Sequence, residues 1–122
     1  MLKLNSIMIS SENPQALSEF YGKVLGHDKP MWAEGGFEGY DAGGCYLMIG
    51  PHDKVHGKSQ NPERILFFFE TDDVKGEFDR VKGLGAEVIA EPYNPSPEPT
   101  MWLATLADPD GNYFQLASPM PE

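Results

Sequence analysis

Two histidines and a lone cysteine are the residues whose types most readily suggest catalysis or metal binding. His52 and His56 are four residues apart, a spacing that places two metal ligands on one face of a helix. Pro51 and Gly57 flank the pair and no third ligand is apparent, so the sequence favours an exposed polar loop over a metal site. Cys45 has no neighbouring base or nucleophile motif, which indicates a small buried side chain rather than a reactive thiol.

Two pairs of acidic residues are better explained by backbone structure than by acid–base catalysis. Asp72 and Asp73 precede a stretch with helical periodicity and are expected to cap that helix. Asp108 and Asp110 lie in the segment Ala-Asp-Pro-Asp-Gly-Asn, which predicts a tight turn. There the Asp108 carboxylate is expected to accept from backbone N–H groups two residues on, and Gly111 to adopt a positive φ. With no glycine-rich phosphate loop or serine-nucleophile motif, no catalytic residue is assigned.

Length and composition limit the classes of protein to which this chain can belong. Its 122 residues predict one domain with a sizeable core, and its ordinary apolar content excludes a disordered or membrane-spanning chain. The formal net charge of −10 argues against nucleic acid and anionic membranes as partners. This charge suits a cationic ligand, although a solvated acidic surface explains it better. A single cysteine and the lack of a signal-peptide pattern at the start predict a cytoplasmic location.

The first half of the chain has the pattern of a strand, a helix and three further strands. Asn13 is expected to cap the helix, with Pro14 at its first position and Gly26 at its end. The predicted strands cover Leu2–Ser10, Lys29–Ala33, Phe37–Asp41 and Cys45–Gly50.

The second half repeats this order after a polar linker over residues 51–62, which has no apolar periodicity. Its first predicted strand, Ile65–Glu70, is a continuous apolar run and is expected to be covered on both faces. A helix follows, capped by Thr71, Asp72 or Asp73 and ended by Gly85. The other predicted strands are Ala86–Ala90, Met101–Ala107 and Tyr113–Ser118, with a proline-rich loop opening at Pro92.

The two halves form an internal repeat that is visible by eye. Residues 5–9 align with 65–69, and residues 44–49 align with 111–116. Each half alone leaves one sheet face bare, so the two are expected to pack as related units. The sequence therefore predicts one domain over residues 1–122, with a first module at 1–50, the linker at 51–62 and a second module at 63–118.

Together, the repeat, the Phe20-Tyr21 and Leu25-Gly26 pairs and the 107–112 turn resemble the vicinal oxygen chelate superfamily. This superfamily includes glyoxalase I, bleomycin and fosfomycin resistance proteins and extradiol dioxygenases. The resemblance implies an α+β, glyoxalase-like fold in which two βαβββ modules form a cupped mixed sheet, with helices outside and a ligand site within. It also implies a homodimer.

Carried over residue by residue, the metal-ligand positions of the superfamily fall at Ser6, Met48, Leu66 and Gln115. Of these, only Gln115 is a useful ligand for the divalent ions that such enzymes bind. The sequence therefore predicts no metal site and no cofactor.

The remaining candidate is the lining of the cup, which is apolar and aromatic and suits a small organic molecule. We therefore predict a metal-free protein that binds a drug or metabolite. The alternative is an enzyme of the same superfamily, either a metal-dependent lyase or ring-cleaving dioxygenase or a metal-free isomerase. A closed core filled by these side chains is another alternative. The predicted ligand-binding residues are Ser6, Met8, Trp32, Tyr46, Met48, Leu66, Phe68, Trp102, Tyr113 and Gln115, with the two tryptophans closing the ends.

Overall fold

The computed structural model describes residues 1–97 and 99–119, and the chain divides into two compact units. The first unit covers Met1–Gly57 and the second begins at Lys58, so the division falls within the polar segment 51–62. Over the described residues, each unit contains one strand, one helix and three further strands in that order. The predicted α+β fold of two βαβββ modules is confirmed.

The first unit is a four-stranded mixed sheet with one helix. Its elements are β1 (Ser6–Ser10), α1 (Pro14–Leu25), β2 (Trp32–Glu34), β3 (Phe37–Asp41) and β4 (Tyr46–Gly50). β1 is parallel to β4, and β3 is antiparallel to both β4 and β2. The resulting strand order is β1-β4-β3-β2, which leaves β1 and β2 as the edges of this sheet.

Helix α1 begins and ends where the sequence predicts. Pro14 is in its first turn, and Gly26 follows its last turn with a φ of +78°, a conformation that glycine adopts without steric cost. Asn13 occupies the N-cap position, but within the described part of the chain its side chain makes no capping hydrogen bond. Instead the Asn13 N–H donates to Ser11 Oγ at 2.9 Å. The buried stripe of α1, which includes Leu17, contacts β3 and β4.

The second unit repeats this plan with the strand order β5-β8-β7-β6. Its elements are β5 (Phe67–Glu70), α2 (Val74–Gly83), β6 (Glu87–Tyr93), β7 (Leu103–Ala107) and β8 (Tyr113–Ala117). β5 is parallel to β8, and the other neighbours are antiparallel. α2 contacts β6, β7 and β8. The core of the second unit includes Val74, Phe78, Val81, Ala104, Leu106, Phe114 and Leu116.

The expectation that β5 is covered on both faces is wrong. Burial alternates along the strand, and the Phe68 side chain is 58% exposed between half-buried Phe67 and Phe69. β5 is an edge strand of its sheet, so an apolar run here does not mean a central, fully covered strand. Cys45 is also less buried than expected, since it is half-buried rather than enclosed.

β6 extends three residues beyond the end that the sequence predicts. Pro92 was expected to open a loop, but it lies inside the strand. β6 is an edge strand, where a residue without an N–H is tolerated because one side of the strand needs no ladder partner. The pairing of β6 with β7 also shifts register between Ala90 and Tyr93, the stretch that contains the proline.

The turn between β7 and β8 has the predicted construction. Asp108 Oδ1 accepts from the backbone N–H groups of Asp110 at 2.9 Å and Asn112 at 3.0 Å. The Gly111 N–H donates to the Asp108 carbonyl at 2.9 Å, and Gly111 has a φ of +80°. The Ser59 N–H also donates to the Asp110 carbonyl, so the start of the second unit is tied to this turn. These bonds explain why the acidic side chains are structural here.

Candidate functional site

Each sheet has one side packed against its helix, and we call the other side its helix-free face. In the first unit, Leu47 and Ile49 are buried on the α1 side, so Tyr46 and Met48 lie on the helix-free face. Ser6 pairs with Tyr46, and Met8 pairs with Met48, across the β1–β4 ladder. Because directly paired residues share a face, these four predicted site residues are neighbours.

Trp32 completes a continuous apolar surface on this face. It pairs with Gly39, and Gly39 in turn pairs with Met48 on β4. A Cβ built on Gly39 would lie 3.6 Å from the Trp32 ring and 3.8 Å from Met48 Cγ, so the indole lies close over the glycine. The exposed fractions are 46% for Met8, 43% for Trp32 and 41% for Tyr46. Three large apolar side chains therefore lie partly exposed on one sheet face.

The helix-free face of the second unit carries Phe68, Tyr113 and Gln115. Phe68 pairs with Gln115 across β5–β8, and Thr105 pairs with Gln115 across β7–β8. Tyr113 is two residues before Gln115 on the same strand and is half-buried. Leu66 lies immediately before β5 and is also half-buried, so it continues the Phe68 side of the strand.

Gln115 is the most unusual polar residue on this face. Its side chain is 9% exposed, and its Oε1 atom is buried with no hydrogen-bond partner in the described part of the structure. Thr105, directly opposite on β7, is 7% exposed and does not donate to it. A buried acceptor without a donor costs about 1–3 kcal/mol relative to a paired one. The unpaired Oε1 of Gln115 is therefore a cost to the stability of the fold.

Trp102 lies apart from the other predicted site residues of its unit. It immediately precedes β7 and pairs with Ser118, whose Oγ accepts from the Trp102 N–H at 2.9 Å. Two-residue steps along the chain place Trp102 with buried Ala104 on the α2 side of the sheet. Lys75, in the first turn of α2, places its Nζ 4.1 Å from the centre of the indole, a cation–π contact. The structure therefore does not bring Trp102 together with Gln115.

A buried polar cluster on the α1 side escaped the sequence analysis. Ser18 Oγ donates to the Glu38 carboxylate and lies 3.0 Å from the Tyr40 hydroxyl, which donates to the Ser18 carbonyl at 3.0 Å. The pKa of Tyr40 is raised above its usual value, mainly because the hydroxyl is buried. The hydrogen bond with Ser18 lowers this pKa, and the nearby carboxylates of Glu38 and Glu19 raise it. Ser18 and Tyr40 are 1% and 3% exposed, so this cluster fastens the helix to the sheet rather than offering a surface to a ligand.

The residues at the superfamily's metal positions do not fit a divalent ion. Ser6 is a poor ligand, and Met48 and Leu66 are apolar. The next residues on the same face of β1 and β5 are Met8 and Phe68, and these cannot bind such an ion either. Gln115 is left as the one useful oxygen donor among these positions. In the described ranges, no group of three or more His, Cys, Asp or Glu residues is arranged to hold a metal.

His52 and His56 lie in an exposed loop, as the sequence predicts. His52 Nδ1 is 3.3 Å from the Asp53 carboxylate, and His56 Nδ1 is 3.6 Å from Glu12. Glu12 also accepts from the Gly57 N–H at 2.8 Å, so it fixes the end of this loop. The histidines thus have local acidic partners at the loop.

Comparison with known proteins supports the interpretation of the fold. A family model described as a glyoxalase-like domain matches residues 6–117. No curated protein matches the chain. Among solved structures, a glyoxalase/bleomycin resistance protein/dioxygenase family enzyme from Burkholderia phytofirmans PsJN is 22% identical, with 98% of this chain and 100% of that chain covered and a TM-score of 0.77.

Two further solved structures share the fold at lower identity. A glyoxalase-related enzyme from Fulvimarina pelagi is 17% identical over 98% of this chain and 89% of that one, with a TM-score of 0.76. A genomically encoded fosfomycin resistance protein from Listeria monocytogenes is 18% identical over 98% of this chain and 93% of that one, with a TM-score of 0.66. These neighbours agree with the resemblance to the vicinal oxygen chelate superfamily. No helix in the described residues is long and apolar enough to cross a membrane.

Proposed function

The chain belongs to the glyoxalase-like domain family, and we propose that it binds a small organic molecule, a drug or metabolite, without a metal ion. The observation that carries this proposal is the partly exposed row of Met8, Trp32 and Tyr46 on the helix-free face of the first sheet. Single exposed apolar side chains are common on protein surfaces, but several large ones side by side are typical of a surface that binds a ligand or a partner. Aromatic rings and a thioether suit a ligand with a planar apolar part.

The chemistry of the superfamily's metal positions supports binding over metal-dependent catalysis. Ser6, Met48 and Leu66 leave Gln115 as a lone donor, and one amide oxygen does not hold a divalent ion. A fosfomycin resistance protein is among the structural neighbours, so a drug-like compound is a reasonable ligand class for this chain. We further propose that the protein acts in the cytoplasm as a homodimer.

The two tryptophans allow a direct test, because they lie in different environments. The Trp102→Phe variant retains Trp32 on the helix-free face, whereas the Trp32→Phe variant retains Trp102 beneath Lys75. Both variants are titrated with a panel of matched cationic, neutral and anionic aromatic compounds, and tryptophan emission and thermal unfolding are followed.

We expect at least one compound to change the emission of Trp102→Phe and to raise its unfolding temperature. The same compound should leave the emission of Trp32→Phe unchanged. Binding should also weaken in Tyr46→Ala, which removes a neighbouring ring from the same face without creating a buried cavity. A panel in which no compound perturbs Trp32 would contradict the proposed binding surface.

A further inference from the structure

We infer that the ligand presents a hydrogen-bond donor to Gln115, and that this residue selects ligands carrying an N–H or O–H group beside an apolar ring. The inference rests on the proposed binding function and goes beyond it by specifying the ligand. Its starting point is the unpaired Oε1 of a side chain that is 9% exposed. A buried acceptor of this kind is stabilised by any bound molecule that supplies the missing donor.

The repeat shows that the fold does not need a polar residue at this place. Gln115 pairs with Phe68 as Met48 pairs with Met8, so Gln115 and Met48 occupy equivalent positions in the two units. The first unit forms its sheet with a methionine there. The fold therefore does not require the amide of Gln115. A methionine at this position would not leave a buried hydrogen-bond acceptor without a donor.

Solvent reaches the neighbourhood of Gln115 from the side of Phe68. β5 is an edge strand, and the Phe68 ring is 58% exposed. Phe68 and Gln115 are direct ladder partners, and paired strands lie about 4.8 Å apart. The inference requires Gln115 to rotate about its side-chain bonds, so that Oε1 meets a donor on a ring stacked against Phe68.

These neighbours specify the chemical class of the ligand. Phe68 favours a planar apolar body, and Oε1 accepts only from a donor, which selects indole-like, aromatic amine or phenolic compounds over their alkylated forms. A site with a buried polar group discriminates strongly against an analogue that leaves this group unpaired.

The test uses two pairs of probes that differ only in the donor: indole with 1-methylindole, and 1-naphthol with 1-methoxynaphthalene. Dissociation constants are measured by NMR for the wild-type protein, for Gln115→Met and for Gln115→Glu. Gln115→Met copies the residue of the first unit, and Gln115→Glu retains an acceptor. Thermal unfolding of each variant without a probe is measured in parallel.

We expect the donor-bearing probe of each pair to bind about fivefold or more tightly to the wild-type protein, which is the size of effect for one buried hydrogen bond. In Gln115→Met this preference should vanish, while the unfolding temperature rises because the unpaired acceptor is gone. Gln115→Glu should retain the preference. A residue with a merely structural role would give the opposite change in stability and leave the preference intact.

The two proposals fail in different ways. Equal binding of both members of each pair would overturn the donor requirement, and the binding function would still stand if the aromatic panel perturbs Trp32 in Trp102→Phe. A preference that persists in Gln115→Met would also overturn it, because another group would then be the acceptor. Failure of all four probes to bind would overturn the inference alone, because the binding function is decided separately by the titration of Trp102→Phe with the aromatic panel.

Discussion

Phe68 and Gln115 lie directly opposite each other in the parallel β5–β8 ladder, one exposed and aromatic, the other buried and unpaired. The equivalent pair in the first unit, Met8 and Met48, is entirely apolar. The two units therefore share a backbone plan but differ in chemistry at the same structural place. The second unit therefore carries a polar group beside an aromatic ring where the first unit carries two methionines.

The residues at the superfamily's four metal-ligand positions predict that the protein does not hold a stoichiometric divalent ion there. Ser6 is a poor ligand, Met48 and Leu66 are apolar, and the one amide oxygen of Gln115 does not hold a divalent ion. Elemental analysis after dialysis against trace nickel, zinc, manganese and iron should find less than one ion per chain. One tightly bound ion per chain that is lost in the Gln115→Ala variant would contradict this prediction.

Exposed apolar side chains and sheet edges predict self-association. Leu4 and Ile65 are 71% and 69% exposed, and β1 and β5 are edge strands of their sheets. We expect a two-fold symmetric homodimer, since this is the commonest way to cover such a surface. Sedimentation at micromolar concentration should give twice the sequence mass, and Ile65→Asp should shift the protein towards the monomer. A wild-type protein that sediments as a stable monomer would contradict the expectation.

Local patterns in the sequence were sufficient to predict the element order, because each element carries its own signal. Gly26 ends α1, and Asp108 builds the β7–β8 turn, through bonds that involve only nearby residues. Met8 and Tyr46 in the exposed row of the first helix-free face also follow from simple alternation along β1 and β4, whereas the place of Trp32 beside Gly39 depends on the pairing of β2 with β3. Here the sequence pattern and the structure agree because the strand period is two.

The errors arise where the outcome depends on distant neighbours. The apolar run of β5 is ambiguous until its edge position is known, and Pro92 is tolerated only because β6 is also an edge strand. Gln115 Oε1 is unpaired because no neighbouring side chain donates a hydrogen bond to it in the described structure, and a local sequence pattern does not show this. Trp102 is different: counting in twos back from Leu106 would have placed it on the α2 side, so the signal was present.

The two helix N-termini predict unequal effects of removing their capping side chains. Asp73 Oδ1 accepts from the Gly76 N–H at 3.0 Å, whereas Asn13 makes no such bond in the described structure. Asp73→Ala should lower the free energy of unfolding by about 1 kcal/mol, the usual value of an N-cap. Asn13→Ala is the matched control and should cost clearly less. Urea unfolding measures both, and equal losses would show that the Asp73 bond contributes nothing.

Two glycines near the end of α2 predict substitutions of opposite sign. Gly83 is the last residue of the helix, and a Cβ built there meets no atom of the described residues within 4 Å. Gly83→Ala should therefore stabilise the protein by up to about 1 kcal/mol through helix propensity. Gly85 has a φ of +99°, so Gly85→Ala should destabilise it by about 1–2 kcal/mol. Thermal unfolding of the two variants gives the comparison, and a shift of the same sign in both would contradict it.

The buried Tyr40 hydroxyl predicts a loss of stability in alkaline solution. Burial raises the pKa of Tyr40 above its usual value of 10.0, so above that pH the folded protein keeps a proton that the unfolded chain releases. Folding is then coupled to proton uptake, and the free energy of unfolding must fall as the pH rises from 10 towards the pKa of the folded state. Tyr40→Phe, which lacks the ionisable group, should start less stable because its hydrogen bonds with Ser18 are lost, yet decline less steeply over this range. Urea unfolding at a series of alkaline pH values measures both slopes, and identical slopes would show that Tyr40 does not control the alkaline limit of the fold.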